Sequence, residues 1–187
     1  MKTINIVLCG LGGQGILFMT KLLAQAILDK GYNIIGSETH GMAQRGGSVT
    51  SHLRFGEAQS SMVRSGTAHL LLSLDENECY RNLAFLSRGG KMYVNTDPDN
   101  FPRPAVKGYL EKREIAYRTL PASVIAQECG APRSSNLALL GFFSAFDDAP
   151  VTYAELSTTI EKLSPMRFKD LNHKVFEAGH NIGLDCR

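Results

Sequence analysis

Apolar positions along the chain change their period several times, and each change marks an element. Residues 4–9 form a short apolar run rich in β-branched side chains and closed by Gly10. Such a run predicts a strand buried on both faces. Ile16, Met19, Leu23 and Ile27 then recur at spacings of three and four, one face of a helix. Lys30, a cation suited to the negative end of the helix dipole, precedes a stop at Gly31. Residues 32–36 read as a second strand, so strand, helix and strand predict a right-handed crossover within a parallel sheet.

The period then shortens to two. Val49, Ser51, Leu53 and Phe55 alternate with Thr50, His52 and Arg54. This predicts a strand with one apolar and one polar face, His52 and Arg54 lying on the solvated side. Residues 69–74 form a further apolar strand ended by Asp75 and Glu76, an acidic pair matched to the positive end of a following helix. Cys79, Leu83 and Leu86 mark the buried side of that helix, Gly89-Gly90 ends it, and residues 91–95 are a strand. Prolines at 98, 102 and 104 predict a surface loop over 97–104. Residues 115–119 read as a short strand, and Pro121-Ala122-Ser123 opens a helix running to Gly130. Ser134-Ser135-Asn136 supplies capping oxygens for a helix through Leu137, Leu140 and Ser144. A last helix carries Phe168, Leu171, Val175, Ala178 and Ile182 as a stripe expected to dock on the domain's own core. No internal repeat or long linker divides the chain. The expected fold is α/β, a three-layer Rossmann-like sandwich with a mostly parallel or mixed central sheet, in a single domain over 1–187.

Composition narrows the function classes. At 187 residues the chain is long enough for a substantial core, and 43% hydrophobic against 20% charged residues rules out a disordered chain. A net charge of +2 gives no reason to invoke nucleic acid as a partner. No apolar run approaches the roughly 20 residues needed to cross a bilayer. The short apolar start runs into glycines instead of a small-residue cleavage site, so no signal peptide is expected and the location expected is cytoplasmic. Cys9, Cys79, Cys129 and Cys186 are widely separated, with no C-x-x-C pair for a zinc site or an iron–sulfur cluster. Free thiols and no metal centre on this chain are the expectation.

The chemistry concentrates in two glycine-rich segments. Gly10-Leu11-Gly12-Gly13-Gln14-Gly15 satisfies G-x-G-x-x-G directly after a strand and before a helix. In that setting the glycines permit a tight turn, close approach of a ligand to the backbone, and close helix–strand packing. Free N–H groups and the helix dipole favour an anion there, typically a phosphate. Glu38 stands where a dinucleotide site places its acidic residue, so an independent NAD(P)- or flavin-binding protein is one reading. A turn that shapes the fold without any ligand is another. Arg45-Gly46-Gly47-Ser48 follows the second strand, and a guanidinium beside two permissive backbone positions suits a phosphate or carboxylate. Glu38 and His40 are the nearby groups able to exchange or orient a proton near neutral pH. Cys9, at the end of a buried strand, reads as an inert core thiol.

Taken together, 10–15, the stretch Ser37-Glu38-Thr39-His40-Gly41-Met42-Ala43-Gln44-Arg45-Gly46-Gly47-Ser48-Val49, and Leu71-Leu72-Ser73-Leu74-Asp75-Glu76-Asn77-Glu78 make the chain recognisable. It resembles the gamma-type subunit of 2-oxoacid:ferredoxin oxidoreductases over essentially its whole length. Within them it looks most like the small beta subunits of indolepyruvate ferredoxin oxidoreductases. The resemblance implies an enzyme that oxidatively decarboxylates an aryl pyruvate with coenzyme A, giving an aryl-acetyl-CoA, carbon dioxide and reduced ferredoxin. It implies a larger partner subunit that carries thiamine diphosphate and the iron–sulfur clusters, and an isolated chain without activity. The absence of clustered cysteines and of a Gly-Asp-Gly motif agrees with that division of labour. On this likeness Gly12, Gly13, Gln14, Gly15, Glu38, His40, Gly41, Arg45, Gly46 and Gly47 form a ligand-binding wall of the active site, with no catalytic residue and no metal ligand assigned.

Overall fold

The computed structural model describes residues 2–40 and 46–187. Among these, six strands form one mixed sheet in the order β2-β3-β1-β4-β5-β6. The strands are β1 (Ile4–Leu11), β2 (Ile34–His40), β3 (Ser48–Phe55), β4 (Ala68–Ser73), β5 (Leu86–Asn95) and β6 (Ala116–Leu120). The helices are α1 (Ile16–Asp29), α2 (Glu76–Asn82), α3 (Pro104–Lys112), α4 (Ala122–Glu128), α5 (Ser135–Ser144), α6 (Tyr153–Leu163) and α7 (Lys169–Asp185). Strands β1, β4, β5 and β6 pair in parallel, while β3 runs antiparallel to both of its neighbours, β1 and β2.

Side chains alternate across this sheet into two apolar clusters. Ile6, Leu8, Leu70, Leu72 and Tyr93 join residues of α1 and α4–α7 on one face. Val7, Cys9, Leu71, Met92 and Val94 join Cys79 of α2 and Leu110 of α3 on the other. The result is the three-layer α/β arrangement expected, with β1 buried on both faces. No helix among the described residues is long and apolar enough to cross a membrane.

Several local expectations are corrected. The strand after α1 is parallel in direction to β1 but does not lie beside it, because the hairpin strand β3 takes the place between them. The polar side of β3 is only partly solvated. His52 is 2% exposed, packs edge-on against Phe85, and accepts the Val63 N–H on Nδ1 at 3.4 Å. Arg54 is partnered by Asn5 Oδ1 at 2.9 Å and Ser60 Oγ at 2.6 Å. This face of β3 is partly covered because α2, the turn after it and the segment around 60–63 lie on that side of the sheet.

The helix after β4 is short. It ends at Asn82, a 3-10 turn spans Leu83–Phe85, and Leu86 already belongs to β5, so Gly89-Gly90 lies inside a strand. The β4/β5 register shifts there, between the pairs Ala68↔Leu86 and Leu70↔Lys91. The proline-rich stretch contains the beginning of α3, with Pro104 at its first position, where a missing N–H costs nothing. Helix α5 is buried along its whole length, and its start has no side-chain cap.

The last helix docks on the core as expected, with Val175 buried and Leu171 and Ala178 packed against it, but the contact is turned about one residue from the apolar stripe. Its buried residues are Asn172, Val175, Phe176, Gly179 and Gly183, while Phe168 is 42% and Ile182 36% exposed. A Cβ on Gly179 would land on the carbonyl of Ala138, and one on Gly141 on the carbonyl of Phe176. Helices α5 and α7 therefore meet backbone to backbone at their glycines, which the apolar stripe alone does not indicate.

Candidate functional site

The carboxyl ends of β1, β4 and β5 lie together, and the glycine turn crosses this edge. Gly15 is the N-cap of α1, left-handed at φ 83° and without a side-chain cap, so the helix's first N–H groups face outward from the turn. Gln14 folds back over the strand it has just left. Its Oε1 accepts the Leu11 N–H at 2.7 Å and its Nε2 donates to the Leu74 carbonyl at 3.2 Å. A Cβ at Gly10 would stand 2.7 Å from Gln14 Oε1 and 2.9 Å from Ile16 Cδ1, so the first glycine makes room for that fold-back.

Asn95 Nδ2 donates to the same Leu74 carbonyl at 3.0 Å and to Ser123 Oγ at 2.9 Å, and its Oδ1 accepts the Ser123 N–H at 3.1 Å. From below, Asn136 Nδ2 donates to the Gly15 carbonyl at 3.1 Å. The amide predicted to cap α5 thus supports the glycine turn instead. Two side-chain amides, Gln14 from within and Asn136 from α5, thus bond the turn's backbone directly, while Asn95 braces the neighbouring Leu74 carbonyl that Gln14 also uses.

The second glycine segment does meet the first. Beyond the register pair Leu11↔Ser48, the Gly12 N–H donates to the Gly47 carbonyl at 2.8 Å and the Gly46 N–H to the Gly12 carbonyl at 3.3 Å. The two loops adjoin because β3 is antiparallel to β1, so the loop that precedes β3 arrives where β1 ends. Gly12, Gly13, Gln14, Gly15, Gly46 and Gly47 therefore share one edge. His40 ends β2 opposite Val49. Gly41 and Arg45 lie outside the described residues.

Glu38 is elsewhere. It is exposed on β2 and lines an open groove of about 620 Å³ between α1 and the outer strands, with Leu17, Lys21, Ile34 and Leu53. Because β3 intervenes, β2 is two strand spacings, roughly 9–10 Å, from β1. A dinucleotide site places the acidic residue on the strand adjacent to the glycine turn, and here that place is taken by β3.

Beside the turn lies a second cleft, of about 420 Å³, between the starts of α1 and α5 and the approach to α7. Gly15, Lys21, Arg133, Asn136, Phe18 and Phe168 line part of it. Two helix N-termini without side-chain caps, an ammonium and a guanidinium make this region receptive to anions. Sequence reasoning did not find Arg133, Lys21 or Asn136 as site residues. The only local signal was the start of a helix at Ser134, and that says nothing about what lies across from it.

The thiol at the edge is not a nucleophile. Cys9 is fully buried, and burial pushes its pKa up to about 12 despite a hydrogen bond to Ser73 Oγ at 3.2 Å. Among the described residues no group of three or more His, Cys, Asp or Glu side chains is placed to hold a metal ion.

Fold and edge together describe a Rossmann-like α/β subunit with an anion-receptive glycine edge. A family model described as pyruvate ferredoxin/flavodoxin oxidoreductase matches residues 5–182, and the chain belongs to that family. The indolepyruvate oxidoreductase subunit IorB of Methanothermobacter thermautotrophicus is 33% identical, covering 97% of this chain and 98% of its own. The gamma subunit of a keto/oxoacid ferredoxin oxidoreductase from Geobacter sulfurreducens has the same fold, with a TM-score of 0.77 at 22% identity over 97% of this chain and 99% of its own. The 2-oxoglutarate:ferredoxin oxidoreductase of Magnetococcus marinus, solved with 2-oxoglutarate, coenzyme A and succinyl-CoA bound, matches with a TM-score of 0.74 at 18% identity, over 98% of this chain and 31% of that one. The chain is a small subunit of a 2-oxoacid ferredoxin oxidoreductase, and the enzyme it serves is an oxidoreductase.

Proposed function

We propose that this chain, acting as one unit over 1–187, supplies a wall of the active site in a ferredoxin-dependent oxidoreductase of aryl 2-oxoacids, indolepyruvate foremost. The substrate reading rests on the indolepyruvate relatives that match nearly the full chain. In the reaction the 2-oxoacid and coenzyme A give an acyl-CoA, carbon dioxide, two protons and two electrons, and ferredoxin takes the electrons. A larger partner subunit holds thiamine diphosphate and the iron–sulfur clusters, which supply the decarboxylation and the electron path. The residues of this chain bind and orient, and none of them moves a proton in the reaction.

The ligand of the glycine edge is coenzyme A. The observation that carries this is the pairing of Gly12 with Gly46 and Gly47, which joins the open start of α1 and the approach to β3 into one edge. A phosphate-rich, acyl-accepting substrate needs such an edge: N–H groups and cations for its anionic part, with its thiol left free to reach the partner's side of the site. Gly15, Arg133 and Lys21 extend the same chemistry into the adjoining cleft. His40 and Gly41, which lead into the Arg45 segment, belong to the same wall.

The test is reconstitution with the larger subunit. The isolated chain is expected to be inactive, and the complex to oxidise indolepyruvate in preference to pyruvate or 2-oxoglutarate. Arg45→Ala in the assembled complex should raise KM for coenzyme A about tenfold, the worth of one charge-assisted contact. Catalysis by the chain alone, or an unchanged KM for coenzyme A in that variant, would overturn the reading.

A further inference from the structure

One buried carboxylate grips the glycine edge from the α2 side of the sheet. Glu78, in the first turn of α2, is 1% exposed. Its Oε2 accepts the Ser48 hydroxyl at 2.6 Å, and its Oε1 accepts Arg81 Nη1 at 2.7 Å. Its backbone is engaged as well: the N–H donates to Asp75 Oδ1 at 3.0 Å, and the carbonyl accepts Asn82 Nδ2 at 2.8 Å and the Cys9 thiol at 3.5 Å. Glu78 therefore ties helix α2 to both β1 and β3, and a second bond, Thr50 Oγ1 to Asn82 Oδ1 at 3.3 Å, joins α2 to β3 two residues further from the glycine pair. Burying a carboxylate is costly unless it is fully partnered, and an apolar residue would fill the same space without that cost. What a carboxylate adds is a directed grip on one hydroxyl. That hydroxyl belongs to the residue immediately after Gly46-Gly47, the pair bonded to Gly12.

We propose that Glu78 is a positioning residue: through Ser48 it holds Gly46 and Gly47 against Gly12 and so sets the geometry of the edge. The clamp is a property of this chain alone. Its effect on coenzyme A rests on the function proposed above. A general strut between α2 and β3 would stabilise the whole fold evenly, whereas a clamp acts on the two loop amides.

The experiment compares Ser48→Ala, Ser48→Thr and Glu78→Gln in the full chain by amide hydrogen exchange, and then in the reconstituted complex by kinetics. In Ser48→Ala and Glu78→Gln the Gly12 and Gly46 amides should exchange about tenfold faster, with Leu72 in the centre of β4 unchanged. Ser48→Thr, which keeps the hydroxyl, should stay near the parent. In the complex Ser48→Ala should raise KM for coenzyme A about tenfold with a far smaller change in kcat. Should Glu78→Gln fail to fold, the two Ser48 variants carry the comparison. Unchanged exchange at Gly12 and Gly46 in Ser48→Ala, or equal acceleration at Leu72, would overturn the clamp. Loosened amides with KM unchanged would support the clamp and overturn the assignment of coenzyme A to this edge.

Discussion

The side-chain amide of Asn136 donates to the carbonyl of Gly15 at 3.1 Å, joining residues 121 positions apart. It ties the start of α5 to the N-cap of α1, so a fully buried helix sets the height of the glycine turn above the sheet. A Cβ on Gly15 would stand 2.6 Å from Asn136 Nδ2, at a φ of +83° that L side chains rarely adopt.

Gly15→Ala therefore combines backbone strain with crowding, and should destabilise the chain by about 1–3 kcal/mol. Asn136→Ala should cost about 1 kcal/mol for the lost hydrogen bond. The double variant should cost less than the sum by about 0.5–1 kcal/mol, because removing the amide relieves the crowding. Urea unfolding of the four proteins measures this. Strict additivity would show that Asn136 is not the neighbour that excludes a side chain at position 15.

The contact between α5 and α7 allows no side chain at its glycines. Gly141→Ala or Gly179→Ala would bring a methyl group within 2.9 Å of the Phe176 or Ala138 carbonyl carbon, so the helices must move apart. Each should cost about 3 kcal/mol or more. Gly108 in the middle of α3 has open space around it, and Gly108→Ala should stabilise by up to about 1 kcal/mol through helix propensity alone. Thermal unfolding that ranks these variants otherwise would contradict the backbone-to-backbone contact.

Thiol reactivity should follow burial. Cys186 is exposed and Cys129 partly so, while Cys9 and Cys79 are buried, with burial raising the pKa of both buried thiols. Alkylation of the native chain at pH 8 should label Cys186 first and Cys129 more slowly, leaving Cys9 and Cys79 until the chain unfolds. Peptide mass spectrometry of timed samples reads the order. Early labelling of Cys9 would make it a reactive group of the edge after all.

Stability should fall in mild acid. Burial lowers the pKa of His52 below its ordinary value of 6.5, and its Nδ1 accepts a backbone N–H. The unfolded chain therefore takes up this proton first. The stability present above 6.5 is lost as pH falls through 6.5 toward the lower folded value. His69 and His180 are shifted in the same direction, again mainly by burial. The urea midpoint should drop between about pH 7 and pH 5, and His52→Gln should flatten but not abolish that slope. Parallel slopes for parent and variant would show that His52 does not contribute.

Much of the architecture is legible along the chain. Residues 4–9, the glycine turn and the α1 face are local patterns whose consequences are local, and the structure keeps them nearly as read. Misreadings cluster where the deciding contact is remote. The alternation in 49–55 correctly marks a strand, yet His52 on its polar face is buried because the turn after α2 brings Phe85 over that residue. Pro104 reads as a breaker but begins a helix, since an N-terminal position needs no N–H. Glu38 stands at the right distance in sequence for a dinucleotide site, and the insertion of β3 carries it away from the turn.

By itself the sequence determined the α/β class, the glycine turn between β1 and α1, and, through the stretches around 10–15 and 37–49, membership of the oxidoreductase family. Periodicity and turn chemistry act over a few residues, so these can be read in place. Only the tertiary structure decided that Gly46 and Gly47 bond to Gly12, that Asn136 supports Gly15, and that Glu78 closes on Ser48. Each of those contacts depends on which strand edges pair and which helices cover them. Those choices are set by burying both faces of the sheet at once, and no local stretch of the chain records them.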